Sequence, residues 1–253
     1  MRARAWHATD RGGHGATTPV PKATPALSLA NYIAFGCSLD GRDKLMRFVQ
    51  YGAKTLVAQT GDKTDTGKKL KAFASAVGLH RKAFKLGKFL DEAQKFLEAV
   101  NADKMEQLER LLTLVQRAAM VVFVILDNLL WFTEVKVLDA FDKATLKKQS
   151  YQYRLVAAVC SMAQVFLAVS KQQDQIEKLA SANAAPADLE KAREKQGLNV
   201  WKSVKNVADV VTYGNSADVV EVLLGKALDD TSAGLVGTLS SFCGMFEIWS
   251  KLK

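Results

Sequence analysis

The chain has 253 residues, 49% of them hydrophobic, and carries a net charge of +9. That is long enough to bury a core without staples. Its three cysteines, Cys37, Cys160 and Cys243, form no CxxC pair and have no histidine at ligand spacing, which argues against a disulfide framework or zinc site and for a reducing compartment.

Residues 1–100 hold 17 Lys and Arg against 8 Asp and Glu, while the remainder is balanced, so the excess positive charge lies in the first part of the chain. Such asymmetry suits an anionic surface, either phospholipid headgroups or nucleic acid. Three of the four prolines precede residue 26, leaving the rest free to be helical, and an all-α fold is expected. Residues 1–25 mix Gly, Pro, Thr and Arg with no apolar period and read as a disordered tail without a secretory h-region. A helix opens at Asp40 as N-cap, with Leu45, Phe48, Val49, Gly52 and Leu56 on one face, and ends in the polar loop Thr60 to Gly67.

The next predicted helix, Lys68 to Val100, is sharply amphipathic. Leu79, Ala83, Leu86, Leu90, Ala93, Leu97 and Val100 fall within about 60° of one line, and Arg81, Lys85, Lys88 and Lys95 gather near about 200°. Pattern alone favours leucines packed in a bundle with a solvated basic face. The other reading is an interfacial helix with leucines in the acyl boundary and lysines at headgroups.

Leu108 to Phe132 is the most apolar stretch, with Leu108, Leu111, Val115, Ala118, Val122, Ile125, Leu129 and Phe132 at steps of three and four. Its charge-free window between Arg117 and Asp127 covers about 14 Å, short of the roughly 30 Å of a hydrocarbon core. Asp127 and Asn128 read as a helix-packing polar pair with Arg117 or Trp131 as partner. After a charged connection at 136–149, a helix is expected over 152–179, its apolar run between Arg154 and Lys171 again short at about 22 Å. A linker at 181–187 leads to a charged surface helix stopped by Gly197, then two short helices joined at Gly214 and Asn215. Thr231 to Phe246 has no charge over about 24 Å and interleaves Gly234, Gly237 and Gly244. It is the best candidate for a membrane span, with a buried bundle helix as the alternative.

No phosphate loop, dinucleotide fingerprint, HExxH or GxSxG occurs, and His7, His14 and His80 are too dispersed for a metal or triad, so no enzyme, cofactor or metal is expected. Aromatic residues do not interleave with the basic face as nucleic-acid stacking requires, which leaves a membrane or a protein as partner.

Four segments in register resemble the peroxin-11 family of peroxisomal membrane proteins. They are Gly41 to Lys54 (GRDKLMRFVQYGAK), His80 to Phe89 with its RK and LGKF, Leu126 to Trp131 (LDNLLW), and the glycine- and serine-rich stretch from Gly234 to Trp249. The resemblance implies a non-enzymatic protein of the peroxisomal membrane, or of a specialised peroxisome such as a glycosome. Such a protein elongates the membrane before fission, self-associates, and helps assemble a dynamin-type GTPase with its adaptors. Pore activity for small metabolites is the alternative it implies. The expected architecture becomes a membrane-associated helical bundle over 26–253: a basic amphipathic part to 100, central apolar helices over 101–180, a charged linker over 181–198, and C-terminal helices over 199–253.

Under that resemblance Leu79, Leu86, Leu90 and Leu97 become the expected lipid-facing residues, and Arg81, Lys82, Lys85 and Lys88 the contacts to anionic phospholipid. Gly234, Leu235, Gly237, Leu239, Phe242, Phe246 and Trp249 belong to the expected span. A soluble helical interaction bundle remains as the further alternative.

Overall fold

The computed structural model describes residues 28–102 and 105–252, so the expected tail at 1–25 lies outside the described residues. Those residues form an all-α fold of nine helices: α1 (Leu29–Cys37), α2 (Leu39–Thr60), α3 (Asp65–Ala83), α4 (Lys88–Val100), α5 (Gln107–Glu134), α6 (Lys143–Ser181), α7 (Pro186–Ser216), α8 (Val219–Leu224) and α9 (Asp230–Trp249).

Where these bounds depart from the sequence reading, a local group explains the difference. Ser38, not Asp40, caps α2, because its hydroxyl accepts the Gly41 N–H at 3.0 Å and places Asp40 in the first turn. The expected helix 68–100 is two helices. Gly87 stands at φ +75°, a left-handed conformation in which a side chain would be strained, and the chain turns over Phe84 to Gly87. Conversely, Gly197 does not stop a helix. It sits inside α7, where a glycine costs only about 1 kcal/mol against alanine, and the chain turns instead at Asp218 with φ +63°. Gly214 and Asn215 likewise belong to the last turns of α7. The connection after α5 is shorter than expected because Asp142 accepts the Thr145 N–H at 2.8 Å and starts α6 at Lys143.

Six helices close a ring: α2 packs on α3 and α9, α3 meets α5, α5 lies along α6, α6 along α7, and α7 along α9. Helix α4 packs on α5, α1 contacts α2 and α9, and α8 contacts α7. The ring surrounds a cavity of about 1170 Å³.

Polarity is inverted relative to a water-soluble bundle. Arg47 is 2% exposed, Glu92, Asp127, Asn206, Asp209, Ser240 and Ser241 are buried, and yet Leu90 is 64%, Leu97 59% and Leu223 75% exposed. In α2 the face carrying Leu45 and Leu56 is the exposed one, while Asp43, Arg47, Gln50, Tyr51 and Lys54 line the cavity. Soluble proteins rarely bury an arginine while leaving so many large aliphatic side chains uncovered. An apolar surround explains both halves, since it covers leucines and drives polar groups to satisfy one another inside.

Candidate membrane-facing surface and polar cavity

Of the four leucines assigned to lipid, Leu86, Leu90 and Leu97 share the exposed outer surface. Leu108, Leu111 and Val115 of the neighbouring α5 are exposed as well. Leu79 is not with them: it is half-buried and lines the cavity, because the turn at Gly87 breaks the single helical line that the spacing implied.

The four cations assigned to headgroups all line the cavity, each held by a carboxylate. Arg81 Nε donates to Asp43 Oδ1 at 3.0 Å and its Nη1 to Gln50 Oε1 at 2.7 Å. Lys82 Nζ reaches Glu134 Oε2 at 2.6 Å, and Lys85 Nζ reaches Asp127 Oδ2 at 2.9 Å. Lys88 pairs with Asp40. Asp127 therefore takes Lys85 as its partner rather than Arg117, which instead reaches Glu92 Oε2 at 3.1 Å, and Asn128 Oδ1 is buried without a hydrogen bond.

At the closure of the ring lies a polar knot that the sequence reading missed. Arg47 Nη2 of α2 sits 2.8 Å from Asp209 Oδ1 of α7, both buried. The contact is an ion pair without hydrogen-bond geometry, and Asp209 Oδ1 accepts instead from the Ser240 hydroxyl of α9 at 2.5 Å. The Arg47 guanidinium lies over the rings of Tyr51 and Tyr213, and that of Arg154 from α6 lies 4.9 Å from the Tyr213 ring centre. Four helices thus meet in one charge network. The available signal was an arginine flanked by methionine and phenylalanine in α2, on the side of the helix opposite Leu45 and Leu56.

In α9 the glycines face protein. A Cβ on Gly234 would lie 2.3 Å from Thr55 Oγ1, and one on Gly237 would lie 2.3 Å from Tyr51 Cδ1, so both let α9 press against α2. Leu235, Leu239, Phe242 and Phe246 are exposed on the other side, and Trp249 packs edge-on to Tyr32 at 4.9 Å. By length and composition, the helices among the described residues able to cross a membrane are α5 and α6, and α9 is not one of them. This differs from the sequence reading. In α5 the charges that bounded its short window, Arg117 and Asp127, are turned onto Glu92 and Lys85 instead of interrupting the helix. Meanwhile Asp230, Glu247 and the serines lower the hydropathy of α9.

The sequence matches the family described as Peroxisomal biogenesis factor 11 (PEX11) over residues 29–249. The chain belongs to the peroxisomal biogenesis factor 11 family. It is 27% identical over 216 residues to Peroxisomal membrane protein 11A of Arabidopsis thaliana, covering 80% of this chain and 86% of that protein. To Peroxisomal membrane protein 11-3 of Oryza sativa subsp. japonica it is 27% identical over 220 residues, covering 86% and 88%. No solved structure matches. It is a protein of the peroxisomal membrane that acts in peroxisome proliferation, in a family of membrane biogenesis factors. All four segments that carry the family resemblance reach the cavity, through Asp43 and Arg47, through Arg81 to Lys88, through Asp127, and through Gly234.

Proposed function

We propose that the protein elongates the peroxisomal membrane ahead of fission by placing the outer leucine face of α4 and the adjoining face of α5 among acyl chains. Copies then associate through the remaining apolar surface and present the drawn-out membrane to a dynamin-type GTPase and its adaptors. The observation that supports this reading is the inverted polarity: Leu86, Leu90 and Leu97 are uncovered while Arg81, Lys82, Lys85 and Lys88 are turned to the cavity.

Contact of Arg81, Lys82, Lys85 and Lys88 with anionic phospholipid then requires each to exchange its carboxylate for a phosphate. Lys88 exchanges most readily, since Asp40 is itself exposed, and Lys85 least, since Asp127 is buried. Insertion is therefore carried by leucine, and charge adds a salt-sensitive increment.

The test is elongation of giant anionic vesicles by the purified full-length chain. Leu86→Glu with Leu90→Glu should abolish elongation, because each carboxylate costs about 2.5 to 3.5 kcal/mol in the acyl region. Helical content by circular dichroism should be unchanged. Undiminished elongation by this variant would show that those leucines cover a protein rather than lipid. A second reading, a pore for small metabolites, is favoured by the closed ring of helices around a polar cavity, and conductance across planar bilayers tests it.

A further inference from the structure

The cavity holds more positive charge than its own carboxylates neutralise. Its walls carry eleven Lys and Arg side chains against seven Asp and Glu, and one of those cations, Arg47, is matched by Asp209 behind the wall. Four of these cations make no ion pair among the described residues: Lys44 and Arg154 stand near the knot of Arg47 and Asp209, while Lys54 and Lys147 lie close to each other. Arg81, Lys82, Lys85 and Lys88 on the same walls are all paired. The Lys54 ammonium stands 5.0 Å from the centre of the Tyr51 ring. Tyr51 and Tyr151 also line the cavity, and neither hydroxyl makes a hydrogen bond among the described residues. Desolvation, together with repulsion from Lys147 and Arg81, holds Lys54 below the ordinary lysine value, and the one acid that offsets this is Asp230 at the start of α9.

We propose that this end of the cavity is a binding site for a phosphate monoester or diphosphate group, held by Lys54, Lys147 and Arg81 with the hydroxyls of Tyr51 and Tyr151. All five of these groups can donate, and with Asp230 the one acid beside Lys54, this end keeps a net positive charge, the arrangement that a multiply charged oxyanion satisfies and a cation does not. A lone chloride would leave most of these donors unused. The volume of about 1170 Å³ accommodates the group together with whatever it is attached to, either the diacylglycerol of a lipid or a small soluble metabolite.

Two arms separate those sources. In the first, inorganic pyrophosphate is titrated into the full-length chain in a neutral detergent and binding is read by calorimetry. In the second, the chain is reconstituted in phosphatidylcholine nanodiscs with and without phosphatidic acid, and bound phosphatidic acid is measured after washing. Lys54→Gln with Lys147→Gln should weaken binding at least about tenfold in the responding arm, in line with the loss of charge-assisted hydrogen bonds. Lys63→Gln with Lys68→Gln, outside the cavity, should leave it unchanged. Pyrophosphate alone assigns a soluble ligand, and phosphatidic acid alone, or its displacement by pyrophosphate, assigns a headgroup. Absence of binding in both arms, or equal loss in the two variant pairs, overturns the proposal. Either result leaves the elongation reading untouched, because Leu86 and Leu90 are intact in both variant pairs.

Discussion

Replacing Asp209 with alanine is expected to destabilise the protein by about 3 to 5 kcal/mol, the cost of stranding a buried charge whose partner has been removed. Arg47 is buried under the rings of Tyr51 and Tyr213 and cannot turn to water, so Asp209→Ala leaves its guanidinium without a counter-charge. The Ser240 hydroxyl loses its acceptor in the same step, which loosens α9 from α7. Thermal unfolding in a neutral detergent measures the loss. Combining Arg47→Met with Asp209→Leu should recover most of it, because a packed apolar pair replaces a buried ion pair at little cost. A single variant that unfolds within about 0.5 kcal/mol of the parent would mean that the knot does not close the ring.

The second large effect belongs to Gly237. Its alanine variant brings a methyl group to 2.3 Å from Tyr51 Cδ1 and 2.5 Å from Tyr51 Cγ, too near the backbone of α2 for a simple side-chain swing. Overpacking of this kind costs about 1 to 3 kcal/mol, and doing the same at Gly234, where Thr55 Oγ1 and backbone nitrogen crowd the added atom, should part α9 from α2. Limited proteolysis within 230–249 reports the separation. Tyr51→Ala in the Gly237→Ala background should restore protection, since the two sites share one contact and their effects are not additive. If Gly237→Ala and Gly234→Ala together leave α9 protected, the helix is held by its far side instead.

The all-α class and the long central helix were legible because an unbroken step of three and four over so many residues admits no other element. Breaks were not. Gly87 and Gly197 look alike in the sequence, yet one ends a helix at a positive φ and the other is carried through, and the difference is set by neighbours packed from elsewhere in the chain. Periodicity likewise separated the two faces of α2 and of the 68–100 segment without saying which lies inside. The usual rule assigns leucine inward, and here Leu45, Leu56, Leu90 and Leu97 are exposed while Asp43, Arg47 and Lys85 line the cavity. Resemblance supplied the membrane and with it the outward leucines at Leu86, Leu90 and Leu97, but not the inward cations. Their partners Asp43, Asp127 and Glu134 lie 38 to 52 residues away, beyond the reach of any local pattern.

The central claim is that acyl chains, not protein or water, cover the outer apolar surface. It is tested most directly by attaching a small fluorophore at single cysteines introduced at Leu90, Leu97, Leu111 and Leu239, and at Lys54 as a cavity control, in a background lacking Cys37, Cys160 and Cys243. In vesicles of brominated phosphatidylcholine the labels at the four leucine positions should be quenched by bromine and shielded from aqueous iodide, with the reverse at Lys54. Iodide quenching at the leucine positions, with no effect of brominated lipid, would contradict the account.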